Sequence, residues 1–153
     1  MAKGLDLKWT GDKELIKKLS AAKKLADNPT RMGMLMTGGE VIRDKARENV
    51  RKKLNRNATG RLEQSITVRV VNQYAVAIGP VGVVYAAIHE FGGIITPKRA
   101  RFLRFVIGNR VIFAKYVKMP ARPYMRPAMQ YGRRAAIKAM GQYLEKALRG
   151  LTK

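Results

Sequence analysis

The residues best suited to catalysis or metal binding are the single histidine, His89, and its neighbour Glu90. A zinc-protease helix needs a second histidine four residues further on, and this chain has neither another histidine nor any cysteine to complete a zinc site. The 10 acidic residues are scattered singly, which provides no carboxylate cluster for a harder cation. We therefore predict no metal site and no catalytic residue, and we interpret His89 as a helix residue that packs or hydrogen-bonds locally.

Two other patterns approach enzyme motifs without completing them. Gly33 and Gly38 have the spacing of a phosphate-binding loop, but Gly39 and Glu40 follow where a lysine and a serine or threonine are needed. Ser65 has no surrounding nucleophile elbow. The sequence therefore predicts a protein that is not an enzyme and has no cofactor.

Net charge is the strongest signal in the composition. Lys and Arg number 32 against 10 Asp and Glu, which gives a formal net charge of +22. A positive field attracts any polyanion, so nucleic acid, an acidic protein surface and an anionic membrane all remain open as partners. No zinc-finger, cold-shock or RNA-binding signature is present. The candidate polyanion contacts are Arg51, Lys52, Lys53, Lys98, Arg99, Arg101 and Arg104.

Length and hydropathy bound the class of protein. A chain of 153 residues is the size of one domain, and we predict a single domain over residues 1–153. The absence of cysteine excludes a disulfide framework. No apolar run approaches the roughly 18 residues of a membrane span, and the N-terminus lacks a signal-peptide pattern. We expect a protein made in the cytoplasm.

The N-terminal part of the chain is predicted to be mostly helical. Residues 5–9 alternate weakly like a strand, and residues 13–26 carry an amphipathic helical pattern. A longer pattern spans residues 31–54, with apolar residues at spacings of three and four. Because each glycine costs a helix about 1 kcal/mol relative to alanine, Gly38 and Gly39 predict that this helix bends there or begins only after Gly39.

Strand-like periods follow a polar loop at residues 55–60. Residues 66–70 and 74–78 alternate as an antiparallel hairpin. Residues 83–91 are predicted to form a short helix that closes at Gly92, since glycine is common just after a helix C-terminus.

A second hairpin is predicted over residues 102–107 and 110–116, around the turn residues Gly108 and Asn109. Both of its faces are apolar, which is more than a solvent-facing hairpin can hide. One face therefore needs a cover, either the C-terminal helix or a neighbouring subunit. We predict that residues 93–119 form a projecting arm.

The C-terminal part combines prolines with a helical pattern. Pro120, Pro123 and Pro127 favour a rigid, extended connector, and Pro127 is suited to be the first residue of the last helix. The helix over residues 128–148 carries small residues near its start and is predicted to pack closely on the sheet. The fold class is α+β: a small antiparallel sheet packed against a long N-terminal helix and a C-terminal helix, with a projecting β-hairpin arm.

Three short islands connect these elements to a known family. They are Thr59-Gly-Arg-Leu62 with Ser65-Ile66, Tyr85-Ala-Ala-Ile-His-Glu-Phe-Gly92, and Met119-Pro-Ala-Arg-Pro-Tyr-Met-Arg-Pro-Ala128. In this order, within residues 35–143, they resemble the tail-completion family of long-tailed bacteriophages and prophages, also called virion morphogenesis or head-to-tail joining proteins. The residues assigned to the family motif and to assembly are Thr59, Gly60, Leu62, Ser65, Tyr85, His89, Glu90, Phe91, Gly92, Pro120, Pro123, Arg126 and Pro127.

The resemblance implies a structural protein that finishes the tail end after tail-tube assembly and enables joining to the head. The implied partners are tail-tube or terminator proteins and head connector proteins, with packaged DNA as a further contact and no membrane. It also implies a ring or other homo-oligomer at the neck or tail end of a virion, made in the host bacterial cytoplasm. The alternative is a basic nucleic-acid-binding protein that acts on DNA without catalysis.

Most island residues are expected to be structural. Gly60 and Gly92 are expected to set turns, and Tyr85 and Phe91 are expected to pack.

Glu90 is one of the few carboxylates in the chain. We predict that it pairs with an arginine such as Arg122 or Arg126, and that its loss weakens folding or assembly.

Overall fold

The computed structural model describes residues 28–53 and 60–151. The predicted strand at residues 5–9, the predicted helix at residues 13–26 and the loop at residues 55–59 lie outside the described residues. In chain order, the described elements are α1 (Asn28–Lys53), α2 (Arg61–Ser65), β1 (Ile66–Asn72), β2 (Ala75–Pro80), α3 (Ala86–Phe91), β3 (Gly93–Ile95), β4 (Leu103–Ile107), β5 (Arg110–Ala114), β6 (Val117–Met119) and α4 (Met125–Leu151).

The long helix α1 is the element against which the others pack. It is unbroken through Gly38 and Gly39, so the expectation that it begins only after Gly39 is wrong. The glycines permit close approach by neighbours: a Cβ at Gly38 would lie 2.7 Å from Sδ of Met140, and one at Gly39 would lie 2.8 Å from Cγ1 of Val68. Helix α1 therefore contacts α4 at the first glycine and strand β1 at the second.

Strands β1 and β2 form the predicted antiparallel hairpin. Ile66 lies opposite Pro80, and the register shifts at a bulge between Val70 and Asn72. The short helix α2 before β1 was not predicted. It follows Gly60, whose φ of 68° lies in the left-handed region that favours glycine.

The C-terminal helix α4 packs on α1, so the prediction that it packs on the sheet is wrong. Its small residues lie at this helix–helix contact: Ala136 is buried, and a Cβ at Gly132 would lie 2.8 Å from Cδ1 of Ile42. The helix begins at Met125, two residues before the predicted start. Pro127 is tolerated in the first turn, because the backbone N–H groups of that turn have no intrahelical acceptor and proline lacks this N–H.

Residues 93–119, the arm, form two separate antiparallel ladders. Strand β3 pairs with β6, and β4 pairs with β5 in the predicted hairpin. Of the two turn residues, Gly108 has a positive φ of 59° and Asn109 does not. Ile107 and Phe113 are 61% and 62% exposed. Helix α4 packs on α1 and leaves the arm exposed. The prediction that the C-terminal helix covers one face of the hairpin is therefore wrong.

The buried core lies where α1, α2, β1, α3 and α4 meet. Its apolar members are Ile42, Ala46, Val50, Leu62, Ile66, Ala86, Tyr124, Ala128 and Ala136. Helices and antiparallel ladders together confirm the α+β fold class. None of the helices within the two described ranges combines the length and hydropathy that a bilayer span requires.

Candidate assembly site

The N-terminus of α4 is capped by Glu90, which belongs to α3. Its Oε2 accepts hydrogen bonds from the backbone N–H groups of Tyr124 at 2.7 Å and Met125 at 2.9 Å, and its Oε1 accepts one from the N–H of Arg126 at 2.9 Å. The first turn of α4 contains no acidic residue of its own. The carboxylate that satisfies its N–H groups, and that complements the positive end of the helix dipole, therefore comes from a distant segment.

This cap replaces the predicted ion pair. Among the described residues, Glu90 forms no salt bridge with an arginine. Arg126 contributes its backbone N–H, and Arg122 donates its backbone N–H to the carbonyl oxygen of His89 at 2.7 Å. The first backbone N–H groups of a helix point toward one site and are already ordered by the helix. A carboxylate that accepts hydrogen bonds from them avoids the loss of side-chain entropy that ordering a long arginine would cause.

The charge state of the cap follows from its surroundings. Burial alone would raise the pKa of the Glu90 carboxyl, which is 8% exposed, but the N–H groups of Tyr124, Arg126 and Met125 and the charge of Arg126 outweigh burial and hold the pKa below its ordinary value. Tyr124 is 2% exposed, and burial followed by the Glu90 charge raises the pKa of its hydroxyl to about 12. Near neutral pH, Glu90 is therefore ionised and Tyr124 is neutral.

Helix α1 connects this cap to the first island. Asn49 Nδ2 donates to the carbonyl oxygen of Tyr124 at 3.0 Å, and the Arg47 guanidinium donates to the carbonyl oxygen of Ile66 at 2.8 Å. The three islands therefore meet around the second half of α1. Asn49 and Arg47 were not predicted as site residues, because a polar helix residue that donates a hydrogen bond to a distant carbonyl group has no characteristic spacing in the sequence. The only available signal for Tyr124 was its place as the one aromatic residue of the proline-rich island.

Glycine conformation shapes the ends of the islands. Thr59 lies outside the described residues, and Gly60 precedes α2 in the left-handed conformation. Ser65 Oγ, at the end of α2, donates to the carbonyl oxygen of the buried Leu62 at 2.7 Å. Gly92 ends α3 with a φ of 70°, and a Cβ there would lie 2.8 Å from the backbone nitrogen of Ala121. Gly92 therefore lets the end of α3 lie directly against the connector that carries Pro120 and Pro123.

His89 lies half-buried on the same helix as Glu90. Its ring meets Tyr85 edge to face, with centroids 5.6 Å apart and planes at 82°. Burial and then the charge of Arg122 lower the pKa of the imidazole. Its Nδ1 is buried and makes no hydrogen bond. The described part of the chain gathers no three side chains that could ligate a metal.

An open apolar groove of about 580 Å³ lies beside the cap. It is lined in part by Val84, Phe91 and Met129, and Glu90 and Arg126 are its charged members. Phe91 is 68% exposed, so the expectation that it packs is wrong: its ring lines the groove. Large contiguous apolar surfaces of proteins mark interaction sites or ligand-binding grooves.

The candidate polyanion contacts fall into two groups. Those at the end of α1 have partners within the chain: Glu63 for Arg51, Glu48 for Lys52 and the Pro123 carbonyl oxygen for Lys53. Those on the arm form no salt bridge with a carboxylate of the described residues: Lys98, Arg99, Arg101 and Arg104. The arm cations are therefore better placed to meet an external anion.

Comparison with known proteins gives one match. The family model described as the phage virion morphogenesis family matches residues 39–149, which is more than half of the chain. This range contains the Glu90 cap, the groove and the whole arm. Neither the curated proteins nor the solved structures gave a match. Because the family model spans more than half of the chain, this protein belongs to the phage virion morphogenesis family.

Proposed function

We propose that this protein is a structural, non-catalytic component that completes the phage tail end and enables joining of the tail to the head. The family match over residues 39–149 carries the proposal. The organisation of the cap supports a structural role, because the Glu90 carboxylate is held by three backbone donors and is not presented to a substrate.

Two exposed surfaces support a role in joining assemblies. The groove carries Phe91 and Met129, and the arm carries exposed apolar side chains with cations between them. In this proposal, tail-tube or terminator proteins and head connector proteins bind these surfaces. The protein acts at the neck or tail end of the virion as a ring or other homo-oligomer, the arrangement that repeated contacts between identical subunits produce.

Electron microscopy of particles from a phage or induced prophage that lacks this reading frame tests the proposal. We expect filled heads to accumulate beside unjoined tails, and joined virions to reappear when the wild-type gene is supplied in trans. Unjoined tails of normal length would assign the joining role, whereas abnormally long tails would assign a terminator role. Joined virions of normal shape in the deletion strain would contradict the proposal.

A DNA-binding function without catalysis is the second candidate, and the distribution of charge favours it. The chain has no aspartate or glutamate between Phe91 and Leu144. The cations in that run are Lys98, Arg99, Arg101, Arg104, Arg110, Lys115, Lys118, Arg122, Arg126, Arg133, Arg134 and Lys138.

The affinity for DNA at physiological salt distinguishes the two candidates. For charge-driven contact with about six phosphates, the logarithm of the association constant should fall with the logarithm of salt concentration at a slope of about −5. Fluorescence anisotropy with a labelled DNA duplex measures this slope. For the structural role we expect a Kd weaker than about 1 μM at physiological salt, as in non-specific binding. Binding that stays much tighter at that salt concentration would favour the DNA-binding function.

A further inference from the structure

The arm exposes apolar side chains on both faces of its β4–β5 hairpin. Val106 lies opposite Val111 on one face, and Phe113 is on that face as well. Ile107 lies on the other face. All four side chains are exposed, and no described strand pairs with the outer edge of β4 or of β5. Unpaired strand edges and exposed apolar faces do not stabilise an isolated subunit, and they promote association with another protein surface.

The charge of the arm has one sign. Every charged residue between Gly93 and Met119 is a lysine or an arginine, and Arg104 and Arg110 lie on the hairpin strands themselves. The cations form no salt bridge with a carboxylate of the described residues. Contact between the arms of two copies would bring like charges together, so charge favours a partner with a different, acidic surface.

The exposed apolar side chains of the arm favour an acidic protein over DNA as its partner. Phosphate contacts need cations and hydrogen-bond donors, and a DNA backbone offers no apolar surface to cover valine, isoleucine and phenylalanine side chains. An acidic protein surface with an apolar patch can meet both features at once, since burial of apolar area drives association while charges orient the partners.

We propose that the arm docks onto an acidic protein surface of the phage particle that also carries an apolar patch. This inference rests on the proposed function, because it places the partner on the tail or the head. Val106 and Phe113 bury their side chains against the apolar patch, and Arg104, which lies on the same face of the hairpin, meets its carboxylates.

The test uses the purified full-length protein with tails and filled heads purified from the deletion strain. Co-sedimentation measures binding of the wild type, of Val106→Ser with Phe113→Ser, and of Arg104→Glu. Ile137→Ser is the matched control, because Ile137 is an exposed isoleucine on α4 outside the arm. Thermal unfolding of each variant checks that the fold is retained, and the charge-reversed variant keeps the apolar residues of the hairpin.

We expect the apolar double variant to weaken binding to one of the two particles by about tenfold or more, as loss of central interface residues does. Its affinity for a DNA duplex should stay within about twofold of wild type, because it retains every cation. The charge-reversed variant should lose particle binding most strongly at low salt. The Ile137→Ser control should bind like wild type.

Three outcomes would overturn the inference. If the apolar variant binds both particles normally while the charge-reversed variant loses only duplex binding, the arm contacts DNA. If both variants bind particles normally but lose self-association in sedimentation velocity, the arm binds a second copy. If the deletion strain fails to join heads and tails and both arm variants restore joining in trans, the arm inference fails while the proposed function stands.

Discussion

Replacing Glu90 with alanine should lower the free energy of unfolding by about 3 kcal/mol, because three N–H groups at the start of α4 lose their acceptor in a buried site. An ordinary helix cap contributes about 1 kcal/mol. We expect a larger effect here, since Glu90 is charged and the first turn of α4 has no acidic residue to replace it. Chemical denaturation near neutral pH measures the change.

Two variants control for this result. Glu90→Gln keeps the side-chain size and one acceptor oxygen but directs an NH₂ group at a backbone donor, so a loss of about 1–2 kcal/mol is expected. Glu145→Ala removes an exposed glutamate of α4 that pairs with Arg149, and should change stability by less than about 0.5 kcal/mol. Equal unfolding midpoints for wild type and Glu90→Ala would contradict the capping role. In the deletion strain, Glu90→Ala should also restore fewer joined virions than Glu145→Ala.

The cap also predicts a dependence of stability on pH. The pKa of Glu90 in the folded protein lies below its ordinary value of 4.5, so its contribution is fully present above that value and is lost as the pH falls through the lowered pKa. The stability difference between wild type and Glu90→Gln should therefore shrink at acidic pH. Comparing these two proteins cancels the contribution of Glu48, whose pKa is lowered to about 2 by Lys45 and Lys52. A difference independent of pH would show that the carboxylate charge does not matter.

Apart from α2, β3 and β6, the local elements could be predicted from the sequence, but their packing could not. The β1–β2 hairpin and the short helix before Gly92 depend on alternation and turn residues that act over a few positions. The partner of α4 depends on shape over the whole molecule. Small residues such as Gly132 and Ala136 permit close approach by either a helix or a sheet, so the same stripe fits both arrangements.

The candidate site shows the same limit. Glu90 could be predicted as a site residue because carboxylates are scarce in this chain. An arginine was the predicted partner, because a sequence pattern gives the types of side chains and not the positions of backbone groups. The actual donors are backbone N–H groups of Tyr124, Met125 and Arg126, which every non-proline residue possesses. Such a contact can be found only once the fold brings α3 to the start of α4.

Replacing Gly39 with alanine should lower the free energy of unfolding by about 1–3 kcal/mol, as overpacking of a core does. Helix propensity alone predicts the opposite, a gain of about 1 kcal/mol. The added Cβ would lie 2.8 Å from Cγ1 of Val68 and 3.5 Å from Cγ2 of Val76. Both neighbours are β-branched and have few rotamers into which to move, so the hairpin itself must shift away from α1.

Gly141→Ala is the matched control, because Gly141 also lies inside a helix but a Cβ there would meet nothing within 4 Å. We expect this variant to raise the free energy of unfolding by about 0.5–1 kcal/mol in the same denaturation experiment. Opposite signs for the two substitutions would show that Gly39 permits the approach of β1 to α1. A higher free energy of unfolding for both variants would mean that the hairpin moves away from α1 without loss of stability.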